Sequence, residues 1–310
     1  MGLMKLLMAA ALMVVAVPAI FSQTQQSAGD TLRVSVDLVN VPFTVMDRNG
    51  RLVPGLRRED FAVEEDGRKH EIRHFARENE LPLTIALLVD TSPSVRPVFE
   101  EEKTTAAEFL KSVLRTRDLA LVIGFDRAVT LVQDYSDDID LLGDAIDELE
   151  IGGGTSLYDA IYLACQEKLE DETGRKAIVV ITDGSDTTSK VKFNDALVAA
   201  HKSDTVIYAI SNSTGGFFNS RRGGGDRGTL RRFADETGGG AFFLDRKNNF
   251  TRIFEQIAQE LRSQYSLAYV SSNPARDGKF RKIRIVPRNS SYQIKARKGY
   301  YAPKQSDTQQ

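Results

Sequence analysis

The sequence predicts an α/β protein in which a doubly wound, mostly parallel sheet is inserted in a small β-sandwich formed by the N- and C-terminal flanks. Between residues 81 and 263, short apolar runs alternate with amphipathic segments, which is typical of parallel strands covered by helices on both faces. On either side of that region, apolar residues recur with period two, as in half-buried strands. With 310 residues, 41% of them hydrophobic, the chain can bury one medium core and a smaller one.

The first 22 residues have the pattern of a secretory signal peptide. A short N-terminal stretch with Lys5 is followed by an unbroken run of 12 apolar residues, 6–17, and then by polar residues after Ser22. The run is shorter than the roughly 18 apolar residues that a membrane-spanning helix needs. We therefore expect cleavage and a periplasmic or secreted protein without a stable membrane span, with an uncleaved anchor as the alternative. No cysteine lies near the predicted cleavage position, which argues against a lipidated N-terminus.

The two flanks are predicted to be β-structure. Residues 30–80 and 264–302 both show alternating apolar residues, and turn dipeptides such as Asp66-Gly67 separate the runs. Neither flank is long enough to bury a core alone, so we expect the two to pair in one sandwich. The polar tail, 303–310, is predicted to be disordered.

The central region, 81–263, is predicted to hold six strands and six helices. The predicted strands are 83–89, 119–125, 129–132, 176–182, 205–210 and 241–244. The predicted helices are 99–114, 139–149, 156–169, 193–201, 230–236 and 250–261. Cys165, the only cysteine, lies on an apolar helical stripe with Ile161 and Leu169, which predicts a buried, inert thiol and excludes an internal disulfide. A net charge of −2 is unlike the basic balance of nucleic-acid-binding proteins.

Oxygen-bearing side chains follow two of the predicted strands. Asp90, Ser92 and Ser94 form an Asp-x-Ser-x-Ser motif directly after the first central strand, and Asp183 follows the fourth. Thr155 belongs to a Gly-Gly-Gly-Thr-Ser stretch between them. Ligands of open α/β sheets collect at the carboxyl ends of the strands, and a set of oxygen donors suits Mg²⁺. The alternative is that the serines only cap the next helix.

This arrangement resembles the metal-ion-dependent adhesion site of von Willebrand factor type A domains, over residues 81–263. The resemblance implies a Rossmann-like domain with one antiparallel edge strand after Asp126-Arg127. It also implies that Ser92 and Ser94 bind Mg²⁺, or Mn²⁺ in its place, directly and that Thr155 does so in the ligand-bound form. The two aspartates would act mainly through water. An acidic side chain of a partner protein would complete the metal's coordination. We therefore expect an exported adhesion or scaffold module that binds a protein carboxylate, rather than an enzyme.

Partner specificity is predicted to lie in the loop 212–228, which follows the fifth central strand and opens on the same sheet edge. Five residues of this loop could form a cationic and aromatic rim that attracts an acidic surface: Phe217, Phe218, Arg221, Arg222 and Arg227. The alternative is an exposed glycine-rich loop with solvated arginines.

A second motif would favour a different class of protein. His70-Glu71-Ile72-Arg73-His74 matches the His-Glu-x-x-His pattern of zinc hydrolases, in which the two histidines share a metal on one helix face. Here the segment follows Asp66-Gly67 and is predicted to be a strand, where the two histidines would lie roughly 13 Å apart. A metallohydrolase using His70 and His74 remains one alternative, and a purely structural envelope protein is another.

Overall fold

The computed structural model describes residues 38–77, 81–212, 226–245 and 248–304. The predicted signal peptide, 1–22, lies outside these residues, as does the end of the predicted tail from residue 305 onward. The strands are β1 Leu38–Met46, β2 Phe61–Glu65, β3 Arg68–His70, β4 Ile72–Arg77, β5 Leu83–Asp90, β6 Leu119–Phe125, β7 Val129–Ser136, β8 Arg175–Thr182, β9 Thr205–Ser211, β10 Gly240–Phe243, β11 Tyr265–Val270, β12 Phe280–Pro287, β13 Gln293–Ala296 and β14 Gly299–Tyr301. The α-helices are α1 Phe99–Val113, α2 Ile139–Asp147, α3 Leu157–Leu163, α4 Phe193–Lys202, α5 Arg227–Thr237 and α6 Phe250–Arg262.

A six-stranded sheet in the order β10-β9-β8-β5-β6-β7 forms the centre of the α/β domain. Five strands are parallel, and β7 runs antiparallel at one edge, as predicted. From β5 the chain first builds β6 and β7 on one side and then β8 to β10 on the other. The order of the strands therefore reverses between β5 and β8, and this is where such sheets bind ligands.

The central strands are apolar on both faces because helices cover both. All eight residues of β5 are buried. Helices α1, α2 and α6 pack on one face of the sheet, and α3, α4 and α5 pack on the other. The predicted fourteen-residue helix 156–169 is an α-helix only to Leu163 and continues as a π-helical segment, Ala164–Leu169. Cys165 is fully buried there, and burial raises its thiol pKa to about 12, which agrees with an inert thiol.

The flanks form two further four-stranded sheets, in the orders β13-β1-β11-β4 and β14-β12-β2-β3. Each sheet contains strands from both ends of the chain, because β1 pairs with β11 and β2 pairs with β12. Aromatic and aliphatic residues of both flanks share one core, including Phe43, Phe61, Val63, Tyr265 and Leu267. The two flanks thus pair with each other as expected, while the domain limits at residues 81 and 263 stay predictions.

Basic residues of the C-terminal flank contact the α/β domain. Lys295 forms an ion pair of 3.0 Å with Glu260, a buried residue of α6. Arg297 forms an ion pair with Asp204 and donates a hydrogen bond to the carbonyl of Asn40. Since Asn40 lies in β1 and Asp204 directly precedes β9, one side chain joins the sandwich to the central sheet.

Candidate metal site

Asp90 is the most constrained of the predicted metal ligands. It is the last residue of β5 and is 0% exposed. Its Oδ1 accepts a 2.8 Å hydrogen bond from the backbone N–H of Ser92, and its Oδ2 accepts one of 2.7 Å from the hydroxyl of Thr182. Burial raises the pKa of Asp90 to about 6, the nearby charge of Asp183 adds to the shift, and the two hydrogen bonds oppose it. The fold therefore holds a buried carboxyl group in a fixed orientation.

The two serines of the motif converge. Ser92 is buried and Ser94 is exposed, and their hydroxyl oxygens lie 2.9 Å apart. Ser92 precedes a single 3₁₀ turn, Pro93–Val95, but its side chain makes no capping hydrogen bond. The alternative that Ser92 serves only as a helix cap therefore loses its main support.

The loop that carries Thr155 is fixed on two sides. Gly152 donates a backbone hydrogen bond of 2.8 Å to the carbonyl of Thr91, which lies between Asp90 and Ser92 in the Asp-x-Ser-x-Ser motif. On the other side, the backbone N–H of Thr187 donates to the carbonyl of Thr155, also at 2.8 Å. Thr155 itself is buried, with 5% exposed. These bonds hold the Thr155 segment between the loops that follow β5 and β8.

Gly152 and Gly153 have different roles in that loop. The Asp126 carboxylate accepts a 2.8 Å hydrogen bond from the N–H of Gly153, and a Cβ at Gly152 would overlap this carboxylate. A Cβ at Gly153 would meet no atom within 4 Å. The glycine at 152 is therefore needed for the close approach of the loop to Asp126.

Asp183 follows β8 and is half-buried. Its Oδ1 accepts a 2.8 Å hydrogen bond from the N–H of Ser185. Gly184 has a positive φ of 86°, and a Cβ there would collide with the backbone carbonyl of Asp226 at the start of α5. The Asp183 turn and the N-terminus of α5 are thus in direct contact.

These residues offer a divalent cation two carboxylates and three hydroxyls from three segments of chain. Mg²⁺ prefers such oxygen donors, and it often keeps several water molecules in its shell. Among the described residues there is no cluster of three or more His, Cys, Asp or Glu side chains suited to a metal. Metal binding at this edge would therefore depend on the hydroxyl groups as well as on Asp90 and Asp183, and the donor set fits a hard cation.

The sequence reasoning missed Glu102, a fully buried carboxyl group of α1 close to this edge. The side-chain amide of Asn212 donates a 2.9 Å hydrogen bond to its Oε2, while its Oε1 has no hydrogen-bond partner in the described part of the chain. Asn212 also donates from its backbone to the carbonyl of Thr182, at 3.2 Å. Burial raises the pKa of Glu102 to about 8, and the charge of Asp90 adds to the shift. A glutamate among three consecutive glutamates gives no sequence signal that one of them is buried.

The His-Glu-x-x-His segment is extended, but it is divided between two strands instead of forming the single strand that was predicted. His70 ends β3 and His74 lies in β4, and these strands belong to different sheets. Both ring nitrogens of His70 have protein partners: Nδ1 lies 2.9 Å from the carbonyl of Arg68, and Nε2 accepts the N–H of Ser272 at 3.1 Å. His74 is exposed. The helical geometry that lets this motif bind one metal is therefore absent.

Most of the predicted partner residues, namely Phe217, Phe218, Arg221 and Arg222, lie outside the described residues. Arg227 was predicted to be a loop residue, but it is the first residue of α5. The helix begins there because the side chain of Asp226 accepts hydrogen bonds from the N–H groups of Gly228 and Thr229. The guanidinium group of Arg227 stacks on Phe243, 4.8 Å from the ring centroid.

Comparison with known proteins supports the same type of domain. The family model for the von Willebrand factor type A domain matches residues 85–185. Proximal thread matrix protein 1 of the mussel byssus, solved with zinc in its MIDAS motif, is similar in fold, with a TM-score of 0.51 and 18% identity over 64% of this chain and 49% of the mussel chain. This chain thus corresponds to about half the length of the mussel protein.

An aerotolerance-related membrane protein from Bacteroides fragilis is also similar, at 19% identity over 58% of this chain and 98% of that chain, with a TM-score of 0.47. The comparison with curated proteins gives no match. In the described part of the chain, no helix is both long enough and apolar enough to cross a membrane.

Proposed function

Because residues 85–185 match the family model for the von Willebrand factor type A domain, we propose that the chain is an exported interaction module that binds an acidic residue of a partner protein through a divalent cation. The observation that carries the proposal is the pairing of the Ser92 and Ser94 hydroxyls, 2.9 Å apart, next to the buried carboxyl group of Asp90. Two hydroxyls directed at each other beside a buried acid form the kind of oxygen pocket that a hard cation occupies.

In this proposal Ser92, Ser94 and Thr155 hold Mg²⁺, or Mn²⁺ in its place, and Asp90 and Asp183 act mainly through water. When bound, the cation supplies positive charge that attracts a partner's carboxylate. Asp90 keeps its orientation because Thr182 and the Ser92 backbone occupy one lone pair on each of its oxygens. With neutral hydroxyls as direct ligands, the cation is less neutralised than by direct carboxylates, so an anionic partner is favoured over a neutral one.

Binding rather than turnover is the proposed activity, as the resemblance to von Willebrand factor type A domains implies. The nearest rival is the metallohydrolase, which would need His70 and His74 on one metal. The strand positions of these residues and the hydrogen bonds of the His70 ring oppose it. The mussel protein is described with zinc in its MIDAS motif, so zinc belongs among the cations to be tested.

Calorimetric titration of the purified protein with Mg²⁺, Mn²⁺ and Zn²⁺ tests the metal site. We expect one site in the wild type, a loss of at least tenfold in affinity in Asp183→Ala, and no change in Asp235→Ala, which removes an exposed aspartate of α5. Equal affinity in all three proteins would contradict the assigned site.

Capture of envelope proteins on the immobilised protein tests the partner. Recovery of a partner should require the wild-type protein and Mg²⁺, and should fail with chelator or with Asp183→Ala. Equal recovery under all three conditions would move the binding surface to the β flanks, as the purely structural alternative predicts.

A further inference from the structure

Two arginines of α5 stack on one aromatic ring. The guanidinium groups of Arg227 and Arg231 each lie 4.8 Å from the ring centroid of Phe243, the last residue of β10. The two arginines are four residues apart and therefore lie on the same face of the helix. We call Arg227 and Arg231 the arginine pair.

The arginine pair lies at the sheet edge that carries the candidate metal site. Thr182 of β8 is in register with Ser211 of β9, and Ser211 is in register with Phe243. Two strand spacings of about 4.8 Å therefore separate Phe243 from Thr182, which gives roughly 10 Å. Asp183 directly follows Thr182, and the backbone of Asp226 touches the adjoining Gly184. A short peptide bound near Asp183 would thus be long enough to reach the arginine pair.

No acidic side chain of the described residues neutralises the arginine pair. Within the described ranges, neither arginine forms an ion pair with an acidic side chain. Asp226, the carboxylate that directly precedes Arg227, caps α5 through the N–H groups of Gly228 and Thr229 and the hydroxyl of Thr229. Like charges four residues apart on a helix are unfavourable. Stacking on Phe243 holds them together all the same and leaves the edges of the guanidinium groups free to donate to a carboxylate.

We propose that the arginine pair binds a second carboxylate of the partner segment whose first carboxylate is held at the metal. The recognised chemistry is an acidic peptide in extended conformation, with two acidic side chains about three or four residues apart, since an extended chain advances ~3.3 Å per residue. This inference rests on the proposed function and specifies the partner of the same site.

Arg232 supplies a matched control. It belongs to the same helix, is exposed, and stacks on an aromatic ring in the same way, 4.4 Å from the centroid of Phe193. Phe193 begins α4, however, so this stack faces the neighbouring helix rather than β10. If these arginines only cover aromatic rings, replacing Arg232 should change peptide binding as much as replacing the arginine pair. The proposal requires that only replacement of the arginine pair weakens peptide binding.

The test is selection of displayed random linear dodecapeptides on the purified protein in Mg²⁺ at low salt. We expect wild type and Arg232→Gln to enrich peptides with two acidic residues three or four positions apart. The double variant Arg227→Gln/Arg231→Gln should enrich a single acidic residue, and Asp183→Ala should enrich neither.

Synthetic peptides with one or two aspartates then quantify the effect. The second aspartate should raise affinity about tenfold for wild type and not at all for the double variant, as expected for a charge-assisted hydrogen bond. A wild type that enriches one acidic residue without a second would overturn the arginine-pair inference and leave the proposed function standing. A wild type that enriches no acidic residue would overturn the proposed function itself.

Discussion

Asn212 donates a 2.9 Å hydrogen bond from its side chain to Glu102, and from its backbone it donates to Thr182, whose hydroxyl in turn holds Asp90. Two buried acids near the candidate metal site, Glu102 and Asp90, are thus linked by hydrogen bonds through Asn212 and Thr182. This chain of polar contacts lies on the helix α1 side of the site, and it makes the ionisation of the two acids relevant to both stability and metal binding.

Glu102→Gln should stabilise the protein at alkaline pH. The folded-state pKa of Glu102, about 8, exceeds the ordinary value of 4.5, so the folded state holds the proton more tightly than the unfolded state. The wild type therefore loses stability as pH rises from about 4.5 to about 8, and neutral glutamine removes this loss. Urea unfolding should show equal stability at pH 4 and a gain of roughly 5 kcal/mol for the variant at pH 9. Glu101→Gln, at an exposed neighbouring position, should show no such gain.

Affinity for Mg²⁺ should fall as pH drops through about 6. Asp90 must be ionised when a cation is bound, and its pKa without metal is about 6. Below that pH, one proton competes with the metal, so log affinity should decrease by about one for each pH unit. Calorimetric titrations at pH 5, 6 and 7.5 measure this slope. A flat profile over that range would mean that Asp90 is not coupled to the cation.

Gly152→Ala should weaken metal binding while leaving the fold intact. The added methyl group would overlap the Asp126 carboxylate and push the Thr155 segment away from the serine motif. We expect about a tenfold loss of Mg²⁺ affinity, since one ligand is displaced. Gly153→Ala is the matched control, because a Cβ there meets nothing. If both variants bind Mg²⁺ like the wild type, the loop does not contribute a ligand.

His70→Ala should leave metal affinity unchanged and reduce the free energy of unfolding by ~1 kcal/mol, since the Ser272 N–H loses its acceptor. His74→Ala should change neither quantity, because His74 is exposed. Zinc titration and thermal unfolding of both variants measure the two effects. Loss of a bound zinc ion in either variant would revive the metallohydrolase alternative.

The sequence was sufficient to predict the class of fold and the strands that carry the candidate ligands. Both depend on local patterns: buried strands such as β5 are continuous apolar runs, and Asp90 and Asp183 directly follow such runs. The start of α5 was predicted three residues late because glycines and arginines around Asp226 resemble a loop. The capping hydrogen bonds of Asp226 outweigh that weak propensity.

The partners of Glu102 and of Arg231 could not be predicted from the sequence. Glu102 meets Asn212 because α1 packs beside the end of β9, and Arg231 meets Phe243 because α5 packs beside the end of β10. Contacts of this kind depend on tertiary packing, for which the spacing of residues along one segment carries no signal. The same holds for Lys295 and Glu260, which come together only after the sandwich has closed on α6.

The ladder between β4 and β11 has a consequence for how the chain folds. These strands directly flank the α/β domain in sequence, and they are neighbours in one sheet, where Arg77 is opposite Tyr265. The ladder therefore closes a loop that contains the whole domain, and its formation carries the entropy cost of a long loop unless that domain has already brought its ends together. During synthesis, β1 to β4 emerge before the α/β domain and cannot pair with β11 or β12 until that domain has been made. We expect the α/β domain to fold first and the sandwich to close last, with the N-terminal strands exposed to misassociation in the interval.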